Sequence, residues 1–293
     1  MPDQPTIDII TSEVLASAKY RAVSPALVRD LAARELAAGR SRKEAVKAVK
    51  NKLHQVAGAY FEAKPDYAGW LAELTAAGQT TTDHRPTTND QGASVGPWSL
   101  VLGPSSFEAA CKKIMARHAS TRERLPILGR FYAEALADVP PPRVVLDLAC
   151  GLNPLTVPWM PLAPGAEYVA CDLYADLAAF LSGFFALAGV RGRAEVCDLL
   201  RGAPPVQADL ALALKLLPVL EQVDRAAPLR LLQGIRAPRV LVSFPAQSLG
   251  GRGKGMAQSY ERRFRELVAG QGWEITMFAF PSELAFLVTK PAE

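Results

Sequence analysis

VVLDLACGLNPLTVPW, residues 144–159, decides the fold. An apolar run carrying a single acid, Asp147, reads as a buried strand, and Gly151 then turns the chain. Asn153-Pro154 and Pro158 stand where a dinucleotide-binding loop would place further glycines. A pyrophosphate needs repeated close approach of the backbone and a helix N-terminus aimed at it. This loop suits a nucleotide that lacks one.

Working outward, the chain from Pro140 onward alternates short apolar runs with helical segments. RVVLDLAC, EYVACDL, AEVCDLL, DLALALKLL and RVLVSFP read as strands buried on both faces. DLAAFLSGFFALAG and APLRLLQGI read as crossover helices, and WEITMFAF and LAFLVT, separated by Pro281-Ser282-Glu283, as a closing hairpin. The alternation implies an α/β protein with a parallel sheet covered on both sides. A closing antiparallel pair is the topology of the class I (Rossmann-like) S-adenosylmethionine-dependent methyltransferase fold; a plain dinucleotide-binding fold is the rival.

In such sheets the ligand lies beyond the carboxyl ends of the strands. Those ends carry Asp147 to Gly151, Cys171-Asp172, Cys197-Asp198 and Lys215. Asp172 can accept both hydroxyls of a ribose, and Asp198 the exocyclic amine of adenine. Gly151 permits close backbone approach. Each acid alone is an ordinary turn or cap residue; in order on successive strands they favour adenosine. S-adenosylmethionine adds a sulfonium and an amino-acid tail, whose carboxylate suits a guanidinium fork. Arg122 and Arg124 are the candidates, with Arg124 preferred.

The first part of the chain is helical in pattern. Ser24-Pro25 caps one helix, and Ser41 to Glu44 is a capping box opening the next. There Val46, Val49, Leu53, Val56 and Tyr60 form an apolar stripe beside Lys43, Lys47 and Lys50. Residues 78–104, rich in Thr, Gly, Pro and Asn and containing an unexplained Trp98, read as a linker or insertion. The expected organisation is a helical domain over 1–77, this insertion, and a catalytic domain over 105–293. Within the last, SSFEAACKKIMARHAS is a helix, Pro126 opens another, and Ser120 to Arg124 falls at the junction between them.

With 293 residues, 49% hydrophobic and 21% charged, the chain has the composition of a globular protein. No apolar run approaches the ~20 residues that span a bilayer, and the N-terminus lacks the pattern of an export signal. Cys111, Cys150, Cys171 and Cys197 are scattered, three of them at the ends of apolar runs where a buried thiol is ordinary, and a reducing cytoplasm fits; His54, His84 and His118 are isolated, so no metal is expected. The net charge is only +4, but it is unevenly distributed. Arg40, Arg42, Lys43, Lys47, Lys50 and Lys52 stand against Glu44 alone. Lys112, Lys113, Arg117, Arg122 and Arg124 stand against Glu123, and Arg252, Lys254, Arg262, Arg263 and Arg265 against Glu261. Three basic clusters suggest a polyanionic partner.

Four stretches resemble one family: His118-Ala-Ser-Thr-Arg-Glu-Arg-Leu125, Asp147-Leu-Ala-Cys-Gly-Leu-Asn-Pro154, Leu214-Lys-Leu-Leu-Pro218 and Ser243 to Met256. It is that of the aminoglycoside-resistance 16S rRNA methyltransferases acting on N7 of guanine-1405. Ser17 to Arg21 and Leu53 to Tyr60 share the resemblance, whereas 78–104 departs from the compact family pattern. The resemblance implies a helical N-terminal RNA-binding domain on a class I domain, S-adenosyl-L-methionine as cofactor, and 16S rRNA within the assembled 30S subunit as partner of a monomer. By motif matching, His118, Ala119, Ser120, Thr121, Arg122, Glu123, Arg124, Ala149, Asp172, Asp198, Leu199 and Leu214 would line the cofactor site. Leu173 adjoins Asp172, Tyr60 matches an aromatic near the donor, and Gln222 sits at a more variable position. Lys215 would face the target base, and Arg252 and Lys254 would close on phosphates. Lys19, Arg21, Arg42, Lys43, Lys47 and Lys50 would hold the RNA backbone.

Guanine N7 offers an unprotonated lone pair in the major groove, so no general base is required. In keeping with this, the chain has neither an Asn-Pro-Pro-aromatic motif after its fourth strand nor a Pro-Cys nucleophile motif. Adenine N1 or a small metabolite as target, or a non-catalytic RNA-binding protein with this fold, are the alternatives.

Overall fold

The computed structural model describes residues 4–57, 64–79, 104–246 and 256–291. Seven strands form one sheet: β1 Val144–Leu148, β2 Glu167–Asp172, β3 Arg191–Val196, β4 Leu210–Leu214, β5 Arg239–Pro245, β6 Glu274–Ala279 and β7 Glu283–Thr289. Their order is β3-β2-β1-β4-β5-β7-β6. Strands β1 to β5 run parallel, and β7 is antiparallel to both β5 and β6. The order reverses between β1 and β4, opening a crevice at their carboxyl ends.

β4 and β5 are buried along nearly their whole length, as their apolar runs demand. β3 differs from expectation. It starts at Arg191, and Arg191, Arg193 and Glu195 are exposed rather than buried on two faces. It is an edge strand, where charge discourages pairing with another chain, and Arg193 pairs with Glu167 and Glu195.

α8 Ala175–Leu187 crosses from β2 to β3, and α9 Leu217–Val223 and α10 Ala227–Gly234 from β4 to β5. The β1–β2 connection is a 3-10 helix, Asn153–Trp159. Pro158 lacks the N–H group that an α-helix would use there, whereas Pro154 stands in the first turn, where none is needed.

Three helices, α1 Gln4–Leu15, α2 Pro25–Ala37 and α3 Arg42–Ala57, cover one sheet face. Ile10, Val28, Leu31, Val49 and Leu53 share a single core with Leu146, Val169 and Leu216. Val46, Val49 and Leu53 form the buried stripe expected of α3. Pro25 opens α2 after Ser24, and Glu44 accepts hydrogen bonds from the Ser41 N–H and hydroxyl. Tyr60 and Trp98 lie outside the described residues.

α4 Tyr67–Gln79 packs instead on the opposite face, against α8 and α5 Pro104–Met115. Trp70 and Leu74 join Phe107, Phe180 and Phe184 there. The helical layer of the first face therefore ends with α3, and α4 packs with α5 and α8 on the other face of the sheet. Ser120 to Arg124 is not a junction but part of a short helix, α6 Ala119–Arg124, followed by a 3-10 turn at Leu125–Ile127 and α7 Leu128–Ala135. The break into a 3-10 turn accommodates Pro126.

Cys111 and Cys150 are buried thiols. Cys171 and Cys197 are not separate: their sulfurs meet across β2 and the end of β3, with Cα atoms 5.6 Å apart. Among the described residues no helix is long and apolar enough to cross a membrane.

Candidate active site

The crevice at the switch point is walled by the ends of β1, β2 and β4 and by the turn entering α6. His118, Ser120, Arg124, Ala149, Gly151, Asp172, Leu173, Leu214 and Lys215 line it, all of them expected site residues. The chain is strained where it enters the crevice: Ala149 and Lys215, just beyond β1 and β4, have φ of 50° and 56°. Left-handed backbone at non-glycine residues is sparsely populated and clusters at functional sites.

Asp172 sits half-buried at the end of β2. Its Oδ2 accepts the Gly151 N–H at 2.9 Å and its Oδ1 the Leu173 N–H at 2.7 Å. Burial raises its pKa, partly offset by these backbone donors. A carboxylate oriented this way keeps lone pairs for a diol. Gly151 lines the crevice and also has a close neighbour within the protein. Its φ is +50°, and a Cβ there would stand 2.9 Å from His118 Cε1. The imidazole therefore approaches Gly151 more closely than a side chain there would allow. Burial, then the charges of Lys215, Arg124 and Arg122, hold the His118 pKa down to about 3, so the ring is neutral.

Asn153 is buried at the base of the crevice. Its Nδ2 donates to Asp147 Oδ2 (2.9 Å), while its Oδ1 accepts from Arg124 Nη1 (2.7 Å) and from the Tyr132 hydroxyl (2.8 Å). Tyr168 also donates to Asp147, at 2.6 Å. Burial pushes the Asp147 carboxyl up to about 6, against these two donors. Asn153 thus joins the strand acid to the motif arginine, a structural use of the position where other nucleotide folds keep a glycine.

Two cations depart from their expected roles. Arg124 lines the crevice but is fully buried, and its fork is taken: Nε and Nη2 donate to Glu283 at 3.0 and 2.6 Å. It cannot also present that paired edge to a ligand carboxylate. Lys215 does not reach outward to a target base. Its Nζ donates to Glu123 at 2.6 Å and to the Ser120 carbonyl at 3.0 Å, and lies 3.6 Å from Glu283. Both are drawn inward by Glu283, which also accepts from the Ser243 hydroxyl at 2.5 Å. Burial works against the Glu283 charge, but Arg124 and Lys215 outweigh it and lower its pKa. Sequence reasoning placed Glu283 in a turn. The available signal was an acid opening an otherwise apolar strand.

Other expected residues stand outside the crevice wall. Ala119 and Thr121 are buried, Thr121 bonding its hydroxyl to the Met115 and His118 carbonyls, and Glu123 serves Lys215. Arg122 and Gln222 are exposed. Leu199 packs in the core shared with the helical layer. Asp198 turns onto the Leu200 N–H at 3.0 Å and lies beyond Asp172 along the sheet. Arg252 and Lys254 lie outside the described residues. Of the RNA candidates, Lys19, Arg21, Arg42, Lys43 and Lys47 are exposed and Lys50 is half-buried.

The basic clusters also separate. In the second, Lys113 pairs with Glu73, Lys112 lies over Trp159 and Arg124 is internal. In the third, Arg262, Arg263 and Arg265 each face an acid. In the first, Arg40 and Lys52 pair with buried Glu35, whereas Arg42, Lys43 and Lys47 make no ion pair among the described residues.

The sheet order, the crevice at its switch point and the acid at the end of β2 define a class I S-adenosylmethionine-dependent methyltransferase. A family model described as ribosomal RNA methyltransferase (FmrO) matches residues 16–87 and 81–287. A 16S rRNA (guanine(1405)-N(7))-methyltransferase of Frankia casuarinae is 41% identical over 287 residues, covering 97% of this chain and 94% of the relative. One from Micromonospora echinospora is 35% identical, with 97% of each chain covered. The chain belongs to the FmrO family of ribosomal RNA methyltransferases. Among solved structures, the 16S rRNA methylase RmtB superposes with a TM-score of 0.74 at 29% identity, covering 97% of this chain and 98% of that one. The 16S rRNA methyltransferase RmtF, in complex with S-adenosyl-L-homocysteine, gives 0.75 at 29% identity, covering 99% and 100%.

Proposed function

We propose that the chain transfers a methyl group from S-adenosylmethionine to N7 of guanine-1405 of 16S rRNA, acting as a monomer on the assembled 30S subunit in the cytoplasm. The observation that carries this reading is the 41% identity, over 97% of the chain, to a relative of that specificity. Bound in the crevice, the cofactor supplies an electrophilic methyl on a sulfonium. Asp172, fixed by the Gly151 and Leu173 N–H groups, holds the ribose, and Asp198 the adenine amine. Arg124 has five N–H donors, of which three go to Glu283 and Asn153. Its two remaining N–H donors are what Arg124, which lines the crevice, can offer the tail carboxylate. The crevice has a cavity volume of ≈ 80 Å³. Closed ligand pockets hold about 300–1,000 Å³, so a nucleoside here rests partly in the open mouth.

No side chain has to remove a proton. His118, neutral with a pKa near 3, is a poor base at neutral pH, and Asp147 is engaged by two donors. That suits N7, whose lone pair is already available, and leaves the protein to hold the two reactants at attack distance.

Primer extension after borohydride–aniline cleavage of treated 30S subunits tests the target. A stop at guanine-1405 is expected; a block at an adenine without cleavage would move the target to adenine N1. Calorimetry with S-adenosylmethionine tests the cofactor. Asp172→Asn is expected to weaken binding about tenfold or more, because a hydrogen bond to a charged group contributes about 1.5–3 kcal/mol. No binding by the parent chain would favour a non-catalytic RNA-binding role. Cells expressing the chain are expected to resist gentamicin but not streptomycin, and unchanged gentamicin susceptibility with soluble expression would count against the target.

A further inference from the structure

The segment from Ala22 to Ser24 and helix α2 that follows it reach the chain at or just beyond the ends of β2 and β3, where Asp172 and Asp198 stand. Beside the β2 acid, the Ser24 N–H donates to the Leu173 carbonyl at 3.3 Å and the Ala175 N–H to the Ala22 carbonyl at 3.0 Å, with Val23 bridging to Tyr174. Further along the helix, Asp30 takes Arg201 at two points, Nε to Oδ2 at 2.7 Å and Nη2 to Oδ1 at 2.8 Å. Arg201 follows the β3 acid closely, and its Nε is 3.7 Å from Asp198 Oδ2. The side chain of Asp198 is only 7% exposed. Its Oδ1 accepts the Leu200 N–H, but Oδ2 accepts no hydrogen bond. A buried carboxylate oxygen left without a donor is costly, so it awaits either a ligand or a cation.

Arg201 Nε is the atom both acids compete for. It donates to Asp30 and is less than an ångström from hydrogen-bonding range of Asp198. A guanidinium offers one paired edge to a carboxylate. While Asp30 holds that edge, Arg201 Nε stays 3.7 Å from Asp198 Oδ2, beyond hydrogen-bond range; without Asp30, the nearest acid is Asp198, three residues back in the chain. A charged pair there would occupy the acceptor that an adenine amine needs.

We propose that Asp30, in the helical layer, is a positioning residue for the cofactor. By holding Arg201 at two points it keeps that cation off Asp198 and leaves Oδ2 to the adenine amine. This rests on the adenosine reading of Asp198 given above. It assigns the helical layer a part in cofactor binding besides any contact with RNA.

Calorimetric titration of the full chain with S-adenosylmethionine tests it across four proteins: the parent, Asp30→Ala, Arg201→Ala and Asp30→Ala/Arg201→Ala. Loss of one such hydrogen bond corresponds to about tenfold in affinity, so Asp30→Ala is expected to bind about tenfold more weakly. Arg201→Ala should bind within about twofold of the parent, and the double variant should return to that range, because the interfering cation is gone. A purely structural role for Asp30 gives no such rescue. Parental affinity in Asp30→Ala overturns the proposal, as does a double variant as weak as Asp30→Ala or an Arg201→Ala protein that is itself tenfold weaker. Should Asp30→Ala unfold in a thermal melt, Asp30→Asn, which keeps the side-chain shape but not the charge, repeats the comparison. Asp198→Ala separates the two readings. Unchanged affinity there removes the adenine contact itself, whereas weakened binding there with an unaffected Asp30→Ala removes only the part assigned to Asp30.

Discussion

Arg124 and Glu283, 159 residues apart in sequence, form a two-point ion pair in which neither side chain is more than 1% exposed. The pair ties the motif helix beside the crevice to the first residue of β7. Removing one partner of a buried pair leaves an uncompensated charge and costs about 3–5 kcal/mol, whereas replacing both by apolar groups costs far less. Glu283→Leu and Arg124→Met are each expected to lose stability of that order in urea unfolding. The double variant should lose less than the sum. Additive losses would mean that the pair is not coupled as its geometry indicates.

Two buried groups that line the crevice have pKa values shifted in opposite directions. The folded-state pKa of His118, about 3, lies below its ordinary 6.5, so its contribution is fully present above pH 6.5 and is lost as pH falls toward 3. The folded-state pKa of Asp147, about 6, lies above its ordinary 3.8, so its contribution is present below pH 3.8 and is lost as pH rises through 6. Between about pH 4 and 6 the two nearly cancel. Unfolding free energies measured across this window should rise more steeply with pH in Asp147→Asn than in the parent. They should fall with pH in His118→Gln. Equal slopes in all three proteins would contradict the assignment.

Much of this was legible in the sequence because burial on two faces forces apolar runs. β1, β4 and β5 announce themselves, and the acid that ends β2 lines the crevice as its position suggested. What sequence conveys poorly is which anion claims which cation. Arg124 and Lys215 read as cations beside a ligand, yet Glu283, joined to them only through tertiary structure, turns both inward. Asp198 was placed by strand order, but its surroundings come from α2, far away in the chain. The allegiance of α4 was hidden for a similar reason: its apolar face fits any partner, and only packing against α8 selects one. Local signals such as the Ser41–Glu44 cap need no such knowledge and were read directly.

Gly151 should resist substitution for two separable reasons. Left-handed backbone costs a residue with a Cβ about 1–2 kcal/mol, and that Cβ would also press on the His118 ring at 2.9 Å. Gly151→Ala is therefore expected to destabilise by about 1–3 kcal/mol in urea unfolding. Combining it with His118→Ala relieves the contact but not the backbone cost. The two changes together should cost less than the sum by at least about 0.5 kcal/mol. Strict additivity would show that the ring does not set the requirement for glycine.

The exposed cations of α3 differ in kind from those of α11 Met256–Leu267. Arg42, Lys43 and Lys47 make no ion pair among the described residues, whereas Arg263 is bonded twice to Glu221. Cations not neutralised within the protein can replace the counterions of RNA without first giving up an ion pair. Each such phosphate contact adds about one to the slope of log affinity against log salt. Lys43→Ala and Lys47→Ala are each expected to flatten that slope for 30S subunits by about one. Their affinity for S-adenosylmethionine should stay unchanged, since both residues lie away from the crevice wall. Arg263→Ala should leave the slope alone. If instead Arg263→Ala flattened it and the α3 lysines did not, the RNA-facing surface would have to be moved from α3 to α11.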